Sequence, residues 1–205
     1  TLAAMRRIAM IACLALALAA CSRQQPTPAA SGSTATGASA AATAAPSAAA
    51  TSPAVESRFI PVDTCKVVES KEDEDWSISK CQALPGYTLF LDYGDVRDDL
   101  RLIPDGGKEV GLDIPTFGGG GFNSLGPTFE WRGRSANGRF VPHALIVRDS
   151  VSEDPAHSEK QTSMLAVIDL KRLCLVALVR PGPDQNRKAQ AMADAGNRAC
   201  MSLGD

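Results

Sequence analysis

The first 55 residues of this 205-residue chain contain no aromatic and no acidic residue. Aromatics are scarce throughout, at 5%, and all of them lie beyond that point, as do all 23 acidic residues. The chain has no unbroken run of about 20 apolar residues, the length a spanning helix needs. It has no Cys-x-x-Cys, no Gly-x-Ser-x-Gly, no His-Glu-x-x-His and only two His. The usual sequence signatures of a thiolate zinc site, a serine hydrolase and a zinc peptidase are therefore missing. These absences, with the length, exclude a multi-pass membrane protein, a two-domain enzyme and a wholly disordered chain.

What is present falls into three parts. Residues 1–20 read as an export signal: Arg6 and Arg7 follow Met5, and Ile8 to Ala20 is an apolar run of 13. Thr1 to Ala4, ahead of Met5, read as upstream translation. The run ends in Leu18-Ala19-Ala20-Cys21, which resembles the bacterial lipoprotein signal, the lipobox. That resemblance implies acylation of the Cys21 thiol, a palmitate-bearing anchor, and cleavage just before it. Ser22 rather than Asp follows, which by the same resemblance points to the outer membrane. The alternative is ordinary signal cleavage that leaves Cys21 as a free thiol. Each buried methylene contributes about 0.8 kcal/mol, so a multiply acylated Cys holds far better than one chain.

Residues 21–55 read as a disordered tether. Ala, Ser, Thr, Pro and Gly fill 30 of the 34 positions from Ser22 to Val55, with Arg23 the one charge. Such a segment buries too little to offset its ordering entropy. As a coil it spans about 30–35 Å.

Residues 56–205 form one globular domain with 18 basic and 23 acidic residues, a net charge of −5. That balance carries no basic footprint for nucleic acid and no attraction to anionic lipid. Cys13 leaves with the signal, so Cys65, Cys81, Cys174 and Cys200 remain, an even number in an exported domain. Three connectivities are open, and the chain favours one. Cys65 and Cys81 flank the polar turn Glu69 to Asp75 and meet across a hairpin. Cys174 sits in an apolar run, Leu173 to Val179. Cys200 is expected on a helix from about Gln185, where Ala189, Met192, Ala193, Gly196 and Cys200 share a face. Packing that face on the sheet brings Cys200 to Cys174.

Strands are expected at Tyr87 to Asp92, Leu100 to Ile103, Thr128 to Gly133, Arg139 to Val147, Met164 to Asp169 and Leu173 to Val179. Arg139 to Val147 is apolar on both faces and so reads as central. Leu170-Lys171-Arg172 joins the last two strands, Pro181-Gly182-Pro183 stops the sheet, and Asp184 caps the helix. The fold class is α+β, an antiparallel sheet with a packed C-terminal helix and two disulfides.

Several segments resemble a family of proteobacterial envelope proteins of unknown function. They are Cys65 to Cys81 with Glu74-Asp75-Trp76, Phe129-Glu130-Trp131-Arg132-Gly133, Arg139-Phe140-Val141-Pro142-His143-Ala144 and Met192-Ala193-Asp194. The resemblance covers most of residues 60–196 and implies no activity.

Candidate sites follow from the residues. The Gly-rich stretch 104–126 lacks the Gly-Lys-Ser/Thr end of a phosphate cradle and reads as a long mobile loop. Phe117 and Phe122 are its candidate anchors for a partner, and Trp131, between two charges, is either core or an exposed ligand platform. The acidic turn Glu69, Glu72, Asp73, Glu74, Asp75 and the cluster Asp92, Asp95, Asp98, Asp99 lack calcium-loop spacing and read as solvated. His143 reads as a core or rim histidine on a face with Val141, Leu145 and Val147, and His157 as solvated. Glu130 and Arg132 read as a surface ion pair. No catalytic set, metal or cofactor emerges. The expectation is a lipid-anchored, non-catalytic binding or structural module facing the periplasm or the cell surface, with an envelope protein or the cell wall as partner. The alternatives are a cell-wall hydrolase using carboxylates such as Glu130 or Asp95, and a passive spacer.

Overall fold

The computed structural model describes residues 54–203. The signal, Cys21 and the tether up to residue 53 lie outside the described residues. In chain order the elements are β1 (Val55–Pro61), β2 (Lys66–Lys71), β3 (Trp76–Cys81), β4 (Tyr87–Gly94), β5 (Arg97–Pro104) and the short β6 (Val110–Gly111). A one-turn helix α1 (Ile114–Phe117) precedes β7 (Asn123–Ala136), β8 (Arg139–Ser152), β9 (Gln161–Asp169), β10 (Cys174–Val179) and α2 (Gln185–Ala195).

The strands divide into two five-stranded sheets rather than one, ordered β1-β7-β8-β9-β10 and β2-β3-β4-β5-β6. All strand pairs are antiparallel. The physical reason is alternation. Phe129, Trp131, Leu145, Val147 and Ile168 of the first sheet face a core shared with Leu89, Leu100 and Leu102 of the second, all 0% exposed. Burying each such side chain contributes about 1.5–3 kcal/mol. The intervening residues Ala144, Ile146, Leu165 and Val167 point to the opposite face, where Ala189 and Ala193 of α2 cover them. The first sheet is therefore apolar on both sides, and β8 is central as its sequence indicates. Val55, read as the end of the tether, opens β1, an edge strand whose one buried residue is Ile60. So little burial leaves no periodic signal.

Both disulfides close as expected, Cys65–Cys81 across the β2–β3 hairpin and Cys174–Cys200 between β10 and the C-terminal tail. They span 16 and 26 residues, so by loop entropy each is worth about 3–3.5 kcal/mol. Cys200, however, is not helical. Gly196 adopts the left-handed conformation (φ 65°) and ends α2 at Ala195. The extended tail then brings Cys200 back, with the Met201 N–H donating to the Leu175 carbonyl at 2.8 Å. Ala189 and Ala193 do form the buried face, with Met192 packed against it, while Gly196 and Cys200 are exposed. Asp184 occupies the N-cap position without a side-chain cap. Its carboxylate pairs with Arg187 at 2.5 Å instead.

The Gly-rich stretch is not one long loop, since β6, α1 and the start of β7 lie within it. Hydrogen bonds from distant positions pin it. Asp99 accepts from the Ile114 N–H at 3.0 Å, and Asn123 Nδ2 donates to the Asp98 carbonyl at 2.9 Å and to Asp149 Oδ1 at 2.8 Å.

Candidate functional site

A cleft of about 730 Å³ lies between the β7–β8 turn and the segment joining β3 to β4. Asn137 and Gly138 have φ of 52° and 71°. Positive φ at both central residues is the geometry of a two-residue hairpin turn that matches strand twist. It places Arg139, paired with Ala136, at the cleft rim. Arg58 reaches the same rim from β1, its guanidinium 4.2 Å from the centre of the Phe140 ring. Phe140 is held from below, because β7 passes close enough that a Cβ at Gly133 would lie 2.5 Å from Phe140 Cζ and from the Val141 carbonyl oxygen. Tyr87 and Leu84 supply the opposite wall, and the Tyr87 ring centre stands 5.8 Å from that of Trp131. Burial, and then the Asp169 charge, raise the Tyr87 phenol, which stays neutral and able to donate.

The charge of this cleft is uneven. The Arg139 side chain makes no hydrogen bond or ion pair among the described residues. The nearest carboxylate to Arg58 is Glu56 at 3.9 Å. By contrast Arg101 is clasped by Asp92 and Glu109, and Arg132 by Asp194. Among the described residues Asp105 is the one acidic residue lining the cleft.

A second polar system lies along the seam between α2 and the first sheet. Arg132 Nε donates to Asp194 Oδ1 at 3.1 Å, and its Nη1 to Ser57 Oγ at 2.7 Å. Ser57 Oγ donates to Glu130 Oε1 at 2.5 Å, which also accepts from Gln190 Nε2 at 2.8 Å. Glu130 and Arg132 are thus joined through Ser57 beneath α2 rather than paired on the surface. Burial works to raise the Asp194 carboxyl, and Arg132 together with His143 outweighs it, holding Asp194 below the usual carboxylate range.

His143 joins this system, its Nε2 3.2 Å from Asp194 Oδ1. It does not share a face with Leu145 and Val147, because β8 bulges there. Arg132 pairs with Ala144 and Gly133 with Pro142, which leaves His143 as the extra residue. A bulge breaks strict alternation and re-aims the side chain.

The residues picked out by sequence separate in space. Trp131 is 0% exposed and belongs to the inter-sheet core, so it is no ligand platform. Its indole N–H finds no acceptor among the described residues. Phe117 is half-buried against the same core. Phe122 is 39% exposed, with the Arg97 guanidinium 5.4 Å from its ring centre. Glu130 and Asp95 are not brought together, for Asp95 sits in the β4–β5 turn paired with Arg97. The acidic turn is exposed, with Glu74 paired to Lys71 at 3.2 Å. Asp92 and Asp95 pair with arginines, whereas Asp98 and Asp99 accept backbone hydrogen bonds. Among the described residues no three His, Cys, Asp or Glu side chains are grouped to hold a metal ion. His157 is exposed beside Glu159. The cleft residues Arg58, Tyr87 and Arg139 carry no motif. Asn137-Gly138, a hairpin signature, was the available signal for where Arg139 lies.

Three carboxyls gather beside α1. Burial raises Asp98, Asp99 and Asp149 above the usual range. For Asp149 the Asn123 hydrogen bond opposes that shift, while the charges of Asp98 and Asp99 add to it. Asp149 is 0% exposed, and its Oδ2 has no partner among the described residues.

Comparison with family models, with curated proteins and with solved structures gave no match. Among the described residues no helix is long and apolar enough to cross a membrane.

Proposed function

We propose that this chain is an envelope lipoprotein: a non-catalytic binding module held at the outer membrane by acylated Cys21 and facing the periplasm or the cell surface. The observation that supports it best is the pair of disulfides, Cys65–Cys81 and Cys174–Cys200. They fit an oxidising compartment, to which a leader ending in Leu18-Ala19-Ala20-Cys21 directs the chain. The binding surface in this reading is the cleft at the β7–β8 turn, whose volume lies within the roughly 300–1,000 Å³ of small-molecule sites. Fractionation of cells expressing the full chain tests the anchor. Wild type is expected in the membrane fraction and Cys21→Ala in the soluble periplasmic extract. Membrane association that survives Cys21→Ala overturns the anchor.

A further inference from the structure

The cleft at the β7–β8 turn differs from the rest of the domain in its charge. The domain is net acidic, at −5, and several of its arginines are tied to carboxylates, yet two guanidiniums converge on this cleft. Arg139 is unpaired among the described residues, and Arg58 is stacked on Phe140 at 4.2 Å with its carboxylate neighbour at 3.9 Å. A guanidinium offers a planar fork of donors that matches a carboxylate or phosphate, and it stacks on an aromatic face while doing so. Below the arginines the wall is apolar, built from Phe140, Leu84 and Tyr87. The frame is set in advance, because the Asn137-Gly138 turn fixes the start of β8 and the contact with Gly133 fixes the Phe140 ring. Little ordering is left to oppose binding.

We propose that this cleft binds a small organic anion, its acidic group held by Arg58 and Arg139 and its flat or aliphatic body lying against Phe140 and Tyr87. Charge selects an anion over a cation, since two arginines face a single carboxylate, Asp105, among the described lining residues. The volume of about 730 Å³ selects a small molecule over a polymer. The proposal deepens the binding-module reading and rests on it, while its chemistry belongs to the cleft alone.

The test uses the full chain in a neutral detergent and four single-ring probes: benzoate, phenyl phosphate, benzyl alcohol and benzamidine. Binding is followed by amide chemical shifts in two-dimensional NMR. Benzoate and phenyl phosphate are expected to move resonances of residues 84–87 and 136–142, and the stronger of the two identifies the acid. Benzyl alcohol is expected to bind about tenfold more weakly and benzamidine not at all. Arg58→Gln and Arg139→Gln are each expected to weaken the anions about five- to tenfold, on the order of one charge-assisted hydrogen-bonded pair. Both side chains lie at the surface, so neither change threatens the fold. Shifts confined to other residues, benzamidine binding as well as benzoate, or anion affinity unchanged in both variants each overturn the proposal. If benzoate binds while Cys21→Ala stays on the membrane, the anchor reading fails and the ligand class stands. If Cys21→Ala is released and no anion binds, the reverse holds.

Discussion

Gly133→Ala puts the packing behind the cleft to a quantitative test. The backbone at this position needs no positive φ, so alanine meets no torsional penalty there. The obstacle is space: the new methyl would sit 2.5 Å from Phe140 Cζ and from the Val141 carbonyl oxygen, roughly 0.9 Å inside the 3.4 Å at which ordinary contact begins. A ring tip can tilt away, but the carbonyl belongs to β8, which is hydrogen-bonded to β7 and β9. Overpacking of this kind costs about 1–3 kcal/mol. Reduced freedom of the unfolded chain returns about 0.4–1 kcal/mol. The net expectation is a loss of about 1–2 kcal/mol, which lowers the melting temperature of a domain this size by about 3–6 °C. Thermal unfolding followed by circular dichroism reads it. Because the displaced ring carries the Arg58 guanidinium, benzoate binding should weaken in the same variant. A melting temperature equal to or above wild type refutes the close approach of β7 to Phe140.

Other perturbations bear on other parts of the fold. Asp149→Asn removes a carboxyl that burial raises, with Asp98 and Asp99 adding to the shift. A carboxyl raised above its unfolded value is at no disadvantage below that value, about pH 4, and costs stability as pH rises through its folded value. Denaturant unfolding should therefore show the variant gaining on wild type as pH rises above about 4, and a difference that stays constant with pH counts against the burial argument. Asp194 is held low, so the stability it contributes is present above its unfolded value and is lost as pH falls through the folded one. Removing its partner by Arg132→Met should cost about 1–2 kcal/mol, below the range for a fully buried pair because both partners keep some solvent contact. Urea unfolding measures that. Replacing Cys174 and Cys200 together by Ser should cost about 3.5 kcal/mol. Amide exchange of residues 197–203 should rise with it, because the Met201 to Leu175 hydrogen bond no longer has a covalent staple beside it.

Local chemistry made part of this fold legible. Hairpins were readable because apolar runs flank short polar turns, and so Cys65 could be matched to Cys81. The double-sided apolar run Arg139 to Val147 marked a central strand, since only a strand covered on both faces keeps such a pattern. The helix beginning at Gln185 followed from Pro181-Gly182-Pro183 and from the spacing of Ala189 and Ala193. The apolar spacing continues to Cys200, yet the left-handed Gly196 ends the helix at Ala195, because a single stop residue overrides a face that the spacing alone extends. The division into two sheets is a fact of which faces meet, and alternation within one strand does not name the sheet that will cover it. Alternation alone places His143 with Leu145 and Val147, but one extra residue shifts the register without altering the composition and turns it to the other face. The Gly-rich stretch looked structureless because glycines carry no pattern. The groups that order it, Asp98, Asp99 and Asp149, come from β5 and β8. Arg58 and Arg139 meet only because β1 pairs with β7 and β7 turns back into β8.

Export, acylation and closure of the domain by two disulfides are read together by intact-mass analysis of the membrane-extracted protein after alkylation without reductant. The expected species is a chain beginning at Cys21, carrying acyl groups there, with Cys65, Cys81, Cys174 and Cys200 all unalkylated. A chain that begins elsewhere, an alkylated Cys21, or alkylation at any of the four domain cysteines contradicts it.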